Sequence, residues 1–260
     1  MNEVCKGIRK EILRIAKESG HGHIPTCFSI VESLYAVYES IRHDPRRPLW
    51  EDRDIFILSK GHGALAHYCV LAHHGYFPGQ GLVSFGSFGS TFGCHADRFK
   101  VAGIEASTGS LGHGIGLAVG MALALKIRRS DRRVVTLIGD GEANEGSVWE
   151  STLVASHLKL NNLAIIYDDN QSHGRGLQIR NAADKFRAFD CYVTETEGHD
   201  VNALKEALSK RAGQVHVIVA HTCKGFGCST LIKGQYEWHR KSPNDEEYKT
   251  LTRELDEAAV

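Results

Sequence analysis

Short runs of β-branched and aromatic residues alternate along the chain with longer segments of helix length. The short runs predict five strands, at residues 54–58, 134–138, 163–167, 191–194 and 215–220. The longer segments predict helices at 29–41, 63–74, 112–128, 144–157 and 201–212, and a closing amphipathic helix at 245–258. Buried strands that alternate with helices are typical of βαβ units. We therefore expect an α/β fold, with a doubly wound, mostly parallel sheet and helices on both of its faces.

The chain shows no linker, internal repeat or low-complexity tract that would divide it, so we expect a single domain over residues 1–260. One connection is unusual, because residues 75–93 contain six glycines and four phenylalanines. Irregular connections of this length within a domain are usually functional or mobile. The alternative interpretation is an ordinary surface loop that a few phenylalanine side chains anchor.

Positive and negative charges balance, because 31 Lys and Arg stand against 31 Asp and Glu. A chain without a net positive field has no general attraction for nucleic acid or anionic membranes. The longest uninterrupted apolar stretch, at 115–125, has 11 residues, whereas a membrane-spanning helix needs about 20. We therefore expect neither a nucleic-acid partner nor a membrane partner.

Seven cysteines are scattered along the chain without a CxxC pair. This pattern is typical of reduced thiols in a cytoplasmic protein. The N-terminal segment also lacks the apolar run of a signal peptide. Both observations predict a cytoplasmic location.

The strongest local motif is Gly139-Asp140-Gly141, which follows the predicted strand 134–138 and precedes a predicted helix. In an open parallel sheet, ligands bind beyond the carboxyl ends of the strands. Glycines let the backbone approach a phosphate closely, and the N-terminus of the following helix favours negative charge. Asp140 then stands where a hard cation could bridge its carboxylate to phosphate oxygens. Alone the motif is weak, because Asp-Gly is also a common turn.

A second polar group follows the next predicted strand, 163–167, where Asn170 emerges at the same sheet edge as Asp140. A carboxylate, an amide oxygen and a backbone carbonyl, completed by diphosphate oxygens and water, suit Mg²⁺ or a more tolerant Ca²⁺ site. The alternative is that these are two unrelated strand-end turns. The pair, with 28 residues between Gly141 and Asn170, resembles the thiamine diphosphate and metal motif of thiamine-dependent enzymes.

Five further motifs stand in the order and approximate spacing of the N-terminal half of a transketolase. They are SGHG at 19–22, LSKGHG at 58–63, GCH at 93–95, STGSLGHG at 107–114 and WHRKSPN at 238–244. With these motifs the chain resembles the N-terminal subunit of a split transketolase, from about residue 4 to residue 248. The resemblance implies the diphosphate-binding domain of the thiamine diphosphate-binding fold.

The resemblance also implies a function and a partner. Transketolases use thiamine diphosphate to transfer a two-carbon ketol unit from a ketose donor to an aldehyde acceptor, such as an aldose. In the family, the glutamate that activates the cofactor lies in the C-terminal half, which we expect here on a separate pyrimidine-domain subunit. The expected enzyme is a two-chain transferase, an α2β2 heterotetramer, with thiamine diphosphate and Mg²⁺ as cofactors and Ca²⁺ as an alternative metal.

Site residues are transferred from the resemblance where the motifs match. The implied metal ligands are Asp140, Asn170 and, through its carbonyl, Ser172. The implied cofactor contacts are His62, Gly109, Ser110, Leu111, Asp140, Gly141, Glu142, Asn170 and His239. The implied catalytic residues are the substrate-site histidines His21, His95 and His239. Leu111 resembles the apolar wedge that holds the cofactor bent, and Glu145 matches an acidic residue of a network between paired active sites.

Histidines suit this chemistry, because an imidazole exchanges protons and hydrogen-bonds hydroxyl groups near neutral pH. The carbon–carbon chemistry belongs to the cofactor, and the protein supplies orientation and electrostatics. Taken singly, each histidine has an alternative interpretation as an ordinary structural or surface residue.

Three segments depart from the family pattern, and all lie at the expected pocket. Residues 171–176 are polar and glycine-rich where the family has aliphatic side chains. His113 replaces a glutamine, and Ala96-Asp97 follow His95 where a proline is usual. These departures leave the cofactor site intact but put the usual pentose-phosphate substrates in doubt.

We therefore hypothesise a non-standard substrate, such as a modified sugar or a specialised-metabolite ketone or aldehyde. His173 and Arg175 would lie beside the substrate channel, where the planar fork of Arg175 could bind a carboxylate, phosphate or sulfonate. The alternative is that Arg175 faces solvent and the usual sugar phosphates are used.

Two other functions compete with a transketolase subunit. One is a related thiamine enzyme, such as a 1-deoxyxylulose-phosphate-type synthase or a dehydrogenase component, although SLGHG and WHRKSPN fit transketolase better. The other is a catalytically silent scaffold or regulatory subunit that keeps the fold. Retention of Asp140 and Asn170 argues against the second.

Overall fold

The computed structural model describes residues 1–174 and 176–258, which contain one five-stranded sheet. Its strands are β1 (Ile55–Leu58), β2 (Val134–Gly139), β3 (Leu163–Asp169), β4 (Tyr192–Glu197) and β5 (His216–His221). They lie in the order β1-β2-β3-β5-β4, and each neighbouring pair is parallel. All five predicted strands are confirmed, with shifts of one to three residues at their ends.

Helices connect the strands and flank the sheet. They are α1 (Glu3–Ser19), α2 (Ile24–Ser29), α3 (Val31–Tyr38), α4 (Ala64–His73), α5 (Gly114–Ile127), α6 (Gly146–His157), α7 (Ala182–Ala188), α8 (Val201–Ser209), α9 (Ser229–Lys233) and α10 (Asp245–Glu257). The helix predicted at 29–41 is in fact α3, with α2 before it, because Ile30 leaves the helical region at φ −111°, ψ 3°. The sequence patterns do not predict helix α1, although the Asn2 side chain caps it by accepting from the Cys5 amide at 3.2 Å.

Alternate residues of β1, β2, β3 and β5 point into two separate apolar cores, whereas the edge strand β4 is only half-buried. Phe56 and Leu137 belong to the core that α1 to α4 and α8 cover, whereas Ile57 and Ile138 belong to the core that α5, α6 and α7 cover. This division confirms the predicted doubly wound sheet with helices on both faces. Because both faces are buried, the strands consist mainly of uninterrupted apolar residues rather than an alternating pattern.

The functional motifs meet at the carboxyl edge of the sheet. The pairing register places Gly139, the last residue of β2, opposite Asp168 near the end of β3. The SKGHG segment follows β1 as a short 3-10 turn at Gly61–Gly63, and a second 3-10 turn, Glu142–Asn144, follows β2. Parallel topology therefore brings residues that are far apart in sequence to one edge.

The glycine- and phenylalanine-rich connection at 75–93 is irregular apart from a 3-10 turn, Gly79–Ser84. Phe85 and Phe92 are buried in the first core, whereas Phe88 is fully exposed. The loop is thus anchored by two of its phenylalanine rings, as the surface-loop interpretation predicts.

No helix within residues 1–174 and 176–258 is long and apolar enough to cross a membrane.

Candidate functional site

A cavity of about 330 Å³ opens at the carboxyl edge of the sheet, beside the ends of β1 and β2. It brings together nine of the residues that the sequence predicts for the site: His62, His95, Gly109, Leu111, Asp140, Gly141, Glu142, Ser172 and His239. Six further residues complete the lining: His23, Thr26, Lys60, Gly139, Lys224 and Arg240. Among the described residues, the predicted site residues His21, Ser110 and Asn170 do not line it.

Asp140 follows β2 and its side chain is almost completely buried. Its Oδ1 accepts hydrogen bonds from the Gly141 amide and the Ser172 hydroxyl, each at 2.6 Å. Its Oδ2 accepts from the Ser172 amide at 2.6 Å and lies 2.7 Å from Nδ1 of His173. The carboxylate is therefore oriented by donors from the loops after β2 and β3.

Asn170 lies behind Asp140, just past the end of β3, and is also buried. Its amide nitrogen donates to Asp168 Oδ2 at 2.7 Å and to the Ser29 hydroxyl at 3.1 Å. These bonds assign the amide orientation and leave its oxygen to face Ser172, whose backbone N–H lies 3.0 Å away. The carboxylate of Asp140 and the amide oxygen of Asn170 thus converge on one residue, Ser172.

The donor set fits a hard cation better than a soft one. Carboxylate, amide and backbone carbonyl oxygens are ligands for Mg²⁺ or Ca²⁺. Within residues 1–174 and 176–258, no three His, Cys, Asp or Glu side chains form a group that could hold a metal by themselves. A cation here would consequently need oxygens from a ligand to complete its coordination.

Space for such a ligand exists in front of Gly141. This glycine is exposed and has helical backbone angles, φ −64° and ψ −38°. A Cβ added there would meet only the Ser172 hydroxyl, at 3.8 Å. The protein's own packing therefore does not require a glycine at this position, whereas the close approach of a phosphate would.

Glu142 is buried, and protein donors engage its carboxylate. Its Oε1 accepts from the Ser59 hydroxyl at 2.5 Å and the Gly112 amide at 2.9 Å, and its Oε2 accepts from the Gly139 amide at 3.1 Å. Burial raises the pKa of this carboxyl group. Glu142 joins three of the site's segments, an arrangement that suits a positioning role.

Glycine also lets two of these segments approach each other closely. A Cβ on Gly61 would lie 2.7 Å from the backbone nitrogen of Gly109. Thr108 fixes the same contact by donating its hydroxyl to the Leu58 carbonyl at 2.9 Å. The SLGHG segment is thereby held against the end of β1, with Leu111 half-buried at the cavity and Ser110 exposed.

Three imidazoles gather on one side of the cavity. The ring centroid of His23 lies 5.2 Å from that of His239 and 5.8 Å from that of His62. Burial, reinforced by the nearby Lys60 charge, lowers the pKa of His62 to about 2. Burial likewise lowers the pKa of His23 to about 4 and that of His239 below its ordinary value. The cluster is therefore neutral at pH 7 and can both donate and accept hydrogen bonds.

His23 is the histidine that sequence reasoning missed. Its φ of 70° lies in the left-handed region, which a non-glycine residue occupies at a cost. The sequence feature that could have indicated this role is the His21-Gly22-His23 pattern, which places a second histidine two residues after His21. Of this pair, His23 faces the cavity, whereas His21 packs edge-on against Phe85 with ring centroids 6.0 Å apart.

Lys60, Lys224 and Arg240 give the cavity its positive charge. Lys60 is buried and donates to Asp168 Oδ2 at 2.6 Å, so its charge is paired. Lys224 is 6% exposed, and among the residues that the structure describes its ammonium has no hydrogen-bond or ion-pair partner. Burial, together with the Lys60 charge, lowers the pKa of Lys224 to about 8. Lys60 lies within a motif that the sequence reveals, but the sequence pattern assigns neither lysine a role.

The departures from the family pattern lie at different places. His173 does not line this cavity; its ring binds Asp140 and borders a separate cavity with Asp169 and Arg180. The His173 ring thus contacts a residue that lines the cavity, and its place beside the substrate channel stays a prediction. Arg175 lies outside the described residues.

The other departures, and Glu145, differ in their exposure. His113 is exposed, with Nδ1 3.1 Å from the Leu111 carbonyl. Ala96 is buried, while the Asp97 carboxylate accepts from the Phe99 amide at 2.9 Å. Glu145 is exposed at the start of α6, outside the cavity lining among the described residues.

The chain is similar to known proteins over nearly its whole length. The family model for the transketolase, thiamine diphosphate binding domain, matches residues 2–256. A subunit of the apulose-4-phosphate transketolase of Actinobacillus succinogenes is 38% identical, with coverage of 98% of this chain and 95% of that protein. The 6-deoxy-6-sulfo-D-fructose transketolase subunit SqwG of a Clostridium species is 36% identical, with coverage of 96% and 94%. The solved transketolase of Campylobacter jejuni superposes with a TM-score of 0.87 at 26% identity, and covers 98% of this chain and 43% of its own.

Proposed function

The chain belongs to the transketolase family, and from this premise we propose that it is the N-terminal subunit of a two-chain transketolase that holds the diphosphate end of thiamine diphosphate. Its relatives of similar length are named as transketolase subunits, and the solved transketolases are more than twice as long. The activity is the transfer of a two-carbon ketol unit from a ketose to an aldehyde acceptor. We also propose that residues 1–260 act as one domain.

One observation carries the assignment of the diphosphate site. Lys224 lines the cavity whose other side holds the carboxylate of Asp140, and within residues 1–174 and 176–258 its ammonium has no hydrogen-bond or ion-pair partner. Burial disfavours its charged form even though the carboxylates of Asp140 and Asp168 attract it, and an anion that enters the cavity would reduce that cost. A cation held by Asp140 would bind the same anion. A diphosphate is therefore the ligand class that complements both sides.

Different residues of the site would hold the cofactor and its metal. Asp140, Asn170 and the carbonyl of Ser172 would hold Mg²⁺, which would bind diphosphate oxygens, and Ca²⁺ suits the same oxygen donors. Lys224 and His62 would contact the diphosphate, with Gly141 leaving room for it. When bound, thiamine diphosphate supplies the electron sink for breaking and forming a carbon–carbon bond next to a carbonyl.

The histidines of this chain would handle protons and hydroxyl groups. His23 and His239 are neutral at pH 7, so each can hold a substrate hydroxyl without introducing charge. His95 is exposed at the cavity, where an incoming substrate would meet it. His21 lies outside the lining, on the side of the loop at 75–93. We assign His21, His95 and His239 to substrate binding and proton exchange as a proposal.

We propose a pyrimidine-domain subunit as the partner, in an α2β2 heterotetramer located in the cytoplasm. The relatives of similar length are themselves named as subunits, which supports the existence of a second chain. All seven cysteines are free thiols, as expected in a reducing compartment. We propose no role for nucleic acid or membrane, in keeping with the balanced charge.

The substrate proposed here is a modified, anionic sugar. The names of the two relatives specify apulose 4-phosphate and 6-deoxy-6-sulfo-D-fructose, so this branch of the family includes enzymes for unusual ketoses. The proposed role of Arg175 in binding a phosphate or sulfonate stays a prediction. A substrate panel of apulose 4-phosphate, 6-deoxy-6-sulfo-D-fructose and xylulose 5-phosphate, tested with wild type and Arg175→Ala, addresses both points.

The decisive experiment is reconstitution. The purified chain alone should show no ketol transfer, and activity should appear when a pyrimidine-domain subunit, thiamine diphosphate and Mg²⁺ are added. Asp140→Ala in the same mixture should abolish the activity. Turnover by the rigorously purified single chain, or full activity of the Asp140→Ala mixture, would overturn the proposal.

A further inference from the structure

A completely buried ion pair lies outside the lining of the cavity. Arg9 of α1 and Glu32 of α3 have side chains with 0% exposure, and two of their hydrogen bonds measure 2.5 and 2.6 Å. Arg9 also donates to the Phe28 carbonyl at 2.6 Å. Buried ion pairs usually add little net stability, because desolvation offsets their attraction. The clearest effect of this pair is therefore geometric, since it fixes where the Glu32 carboxylate lies.

His199 extends the pair toward the site. Its Nδ1 lies 3.1 Å from Glu32 Oε2, and its Nε2 lies 2.8 Å from the backbone nitrogen of Cys223. A backbone N–H can only donate, so Nε2 is the acceptor and Nδ1 carries the proton that it donates to Glu32. The ring is also stacked on Phe226, with centroids 3.6 Å apart and planes inclined by 8°. Tautomer and ring orientation are thus both fixed.

The Cys223 amide is one end of a short segment that presents Lys224 to the cavity. On the other side of the lysine, the Gly225 amide donates to the Pro25 carbonyl at 3.0 Å, and its φ of +86° favours glycine. Lys224 therefore lies between two peptide groups that hydrogen bonds hold in place. Its own side chain has no hydrogen-bond or ion-pair partner in the described part of the chain. Because no hydrogen bond or ion pair within the described residues holds the side chain, the position of its ammonium depends strongly on these two backbone anchors.

We propose that Arg9, Glu32 and His199 form a positioning relay, which fixes the Cys223 amide and so holds Lys224 at the diphosphate. The inference rests on the proposed function for the identity of the anion, but the geometry of the relay does not. The three residues touch neither cavity nor ligand, and act through the backbone of the loop after β5. His199 is the link that can be altered without leaving Arg9 or Glu32 unpaired.

The test follows Lys224 itself in the full-length chain. Lysines are reductively methylated with ¹³C-formaldehyde, and the Lys224 signal is identified by its loss in Lys224→Arg. In wild type it should titrate with a pKa of about 8. His199→Phe keeps the stacking ring but removes both nitrogens, so the Lys224 pKa should rise by at least about one unit toward the ordinary lysine value. The Kd of the Mg²⁺ complex of inorganic diphosphate should rise about tenfold.

Three further variants separate positioning from general stability. His199→Gln restores an acceptor that can reach the Cys223 amide and should return both readouts toward wild type. His199→Asn is too short to reach it and should behave like His199→Phe, which keeps the test valid if the phenylalanine variant does not fold. The matched control is His221→Phe, which changes a half-exposed histidine beside Thr222 that is outside the relay; it should leave both readouts unchanged.

An unmoved Lys224 pKa in folded His199→Phe and His199→Asn would overturn the relay. An equal shift in His221→Phe, or no difference between the Gln and Asn variants, would do the same. If wild type does not bind diphosphate at all, the proposed function fails, whereas the Lys224 titration still decides the relay.

Discussion

The two sides of the cavity satisfy their charges in different ways. On the carboxylate side, Asp140 lines the cavity and is followed in the interior by Asp168 and Asn170, and each of these side chains is buried and hydrogen-bonded within the protein. On the cationic side, Lys224 is nearly as buried, yet it has no partner within residues 1–174 and 176–258. Contacts within the protein thus stabilise the carboxylate side, whereas the burial that lowers the pKa of Lys224 is a cost that a bound anion would reduce. The comparison distinguishes residues that stabilise the folded site from residues that would bind its ligand.

The largest expected effect comes from removing the paired lysine. Lys60→Met leaves the fully buried Asp168 without its cation, and loss of one partner of a buried ion pair typically costs about 3–5 kcal/mol. Lys224→Met removes a charge that burial disfavours and that has no ion-pair partner within the described residues, so this variant should be at least as stable as wild type at pH 7. Urea unfolding of both variants measures the difference. Equal loss of stability in the two would contradict the distinction between the sides.

The second effect concerns ligand binding by the carboxylate side. Asp140→Asn keeps the shape of the side chain but removes the charge that would hold the metal, so affinity for thiamine diphosphate with Mg²⁺ should fall at least about a hundredfold. Asn170→Ala should act in the same direction. Asp169→Asn is the control, because Asp169 lies on the neighbouring cavity instead. Calorimetry in the presence of the partner subunit gives the affinities, and unchanged binding by Asp140→Asn would remove this residue from the site.

The sequence predicts the carboxylate side better than the cationic side. Asp140, Asn170 and Ser172 follow two strands whose apolar runs are evident, so parallel topology is enough to bring them together. The ion pair between Lys60 and Asp168 joins residues 108 positions apart, and no periodic pattern in the sequence predicts it. Whether Lys224 has a partner depends on every segment around the cavity, which only the folded chain defines. The contact of the His173 ring with Asp140 likewise depends on the folded loop after β3, and no pattern in the sequence predicts it.

A third, smaller effect is the pH dependence of anion binding. The Lys224 pKa of about 8 means that the ammonium is charged below pH 8 and neutral above it. Affinity for the Mg²⁺ complex of diphosphate should therefore be highest below pH 8 and fall by about tenfold toward pH 9.5. At pH 8 binding should take up a fraction of a proton, measured by calorimetry in buffers of different ionisation enthalpy. Lys224→Met should abolish this uptake, and an unchanged uptake in that variant would assign the proton to another group.

The smallest expected effect on stability is that of replacing His95. This exposed residue lines the cavity but belongs to neither the carboxylate side nor the cationic side. Its side chain is exposed, so His95→Ala should change the free energy of unfolding by less than about 0.5 kcal/mol. In the reconstituted enzyme the same variant should raise KM or lower kcat, because the imidazole would bind substrate and exchange protons rather than fill a core. His157→Ala is the matched control, a histidine at the end of α6 that borders a different cavity. Steady-state kinetics and urea unfolding decide the outcome together. Lost stability with normal kinetics would mean that His95 is a structural residue. Altered kinetics at unchanged stability would mean that His95, like Lys224, is a residue that acts on the ligand.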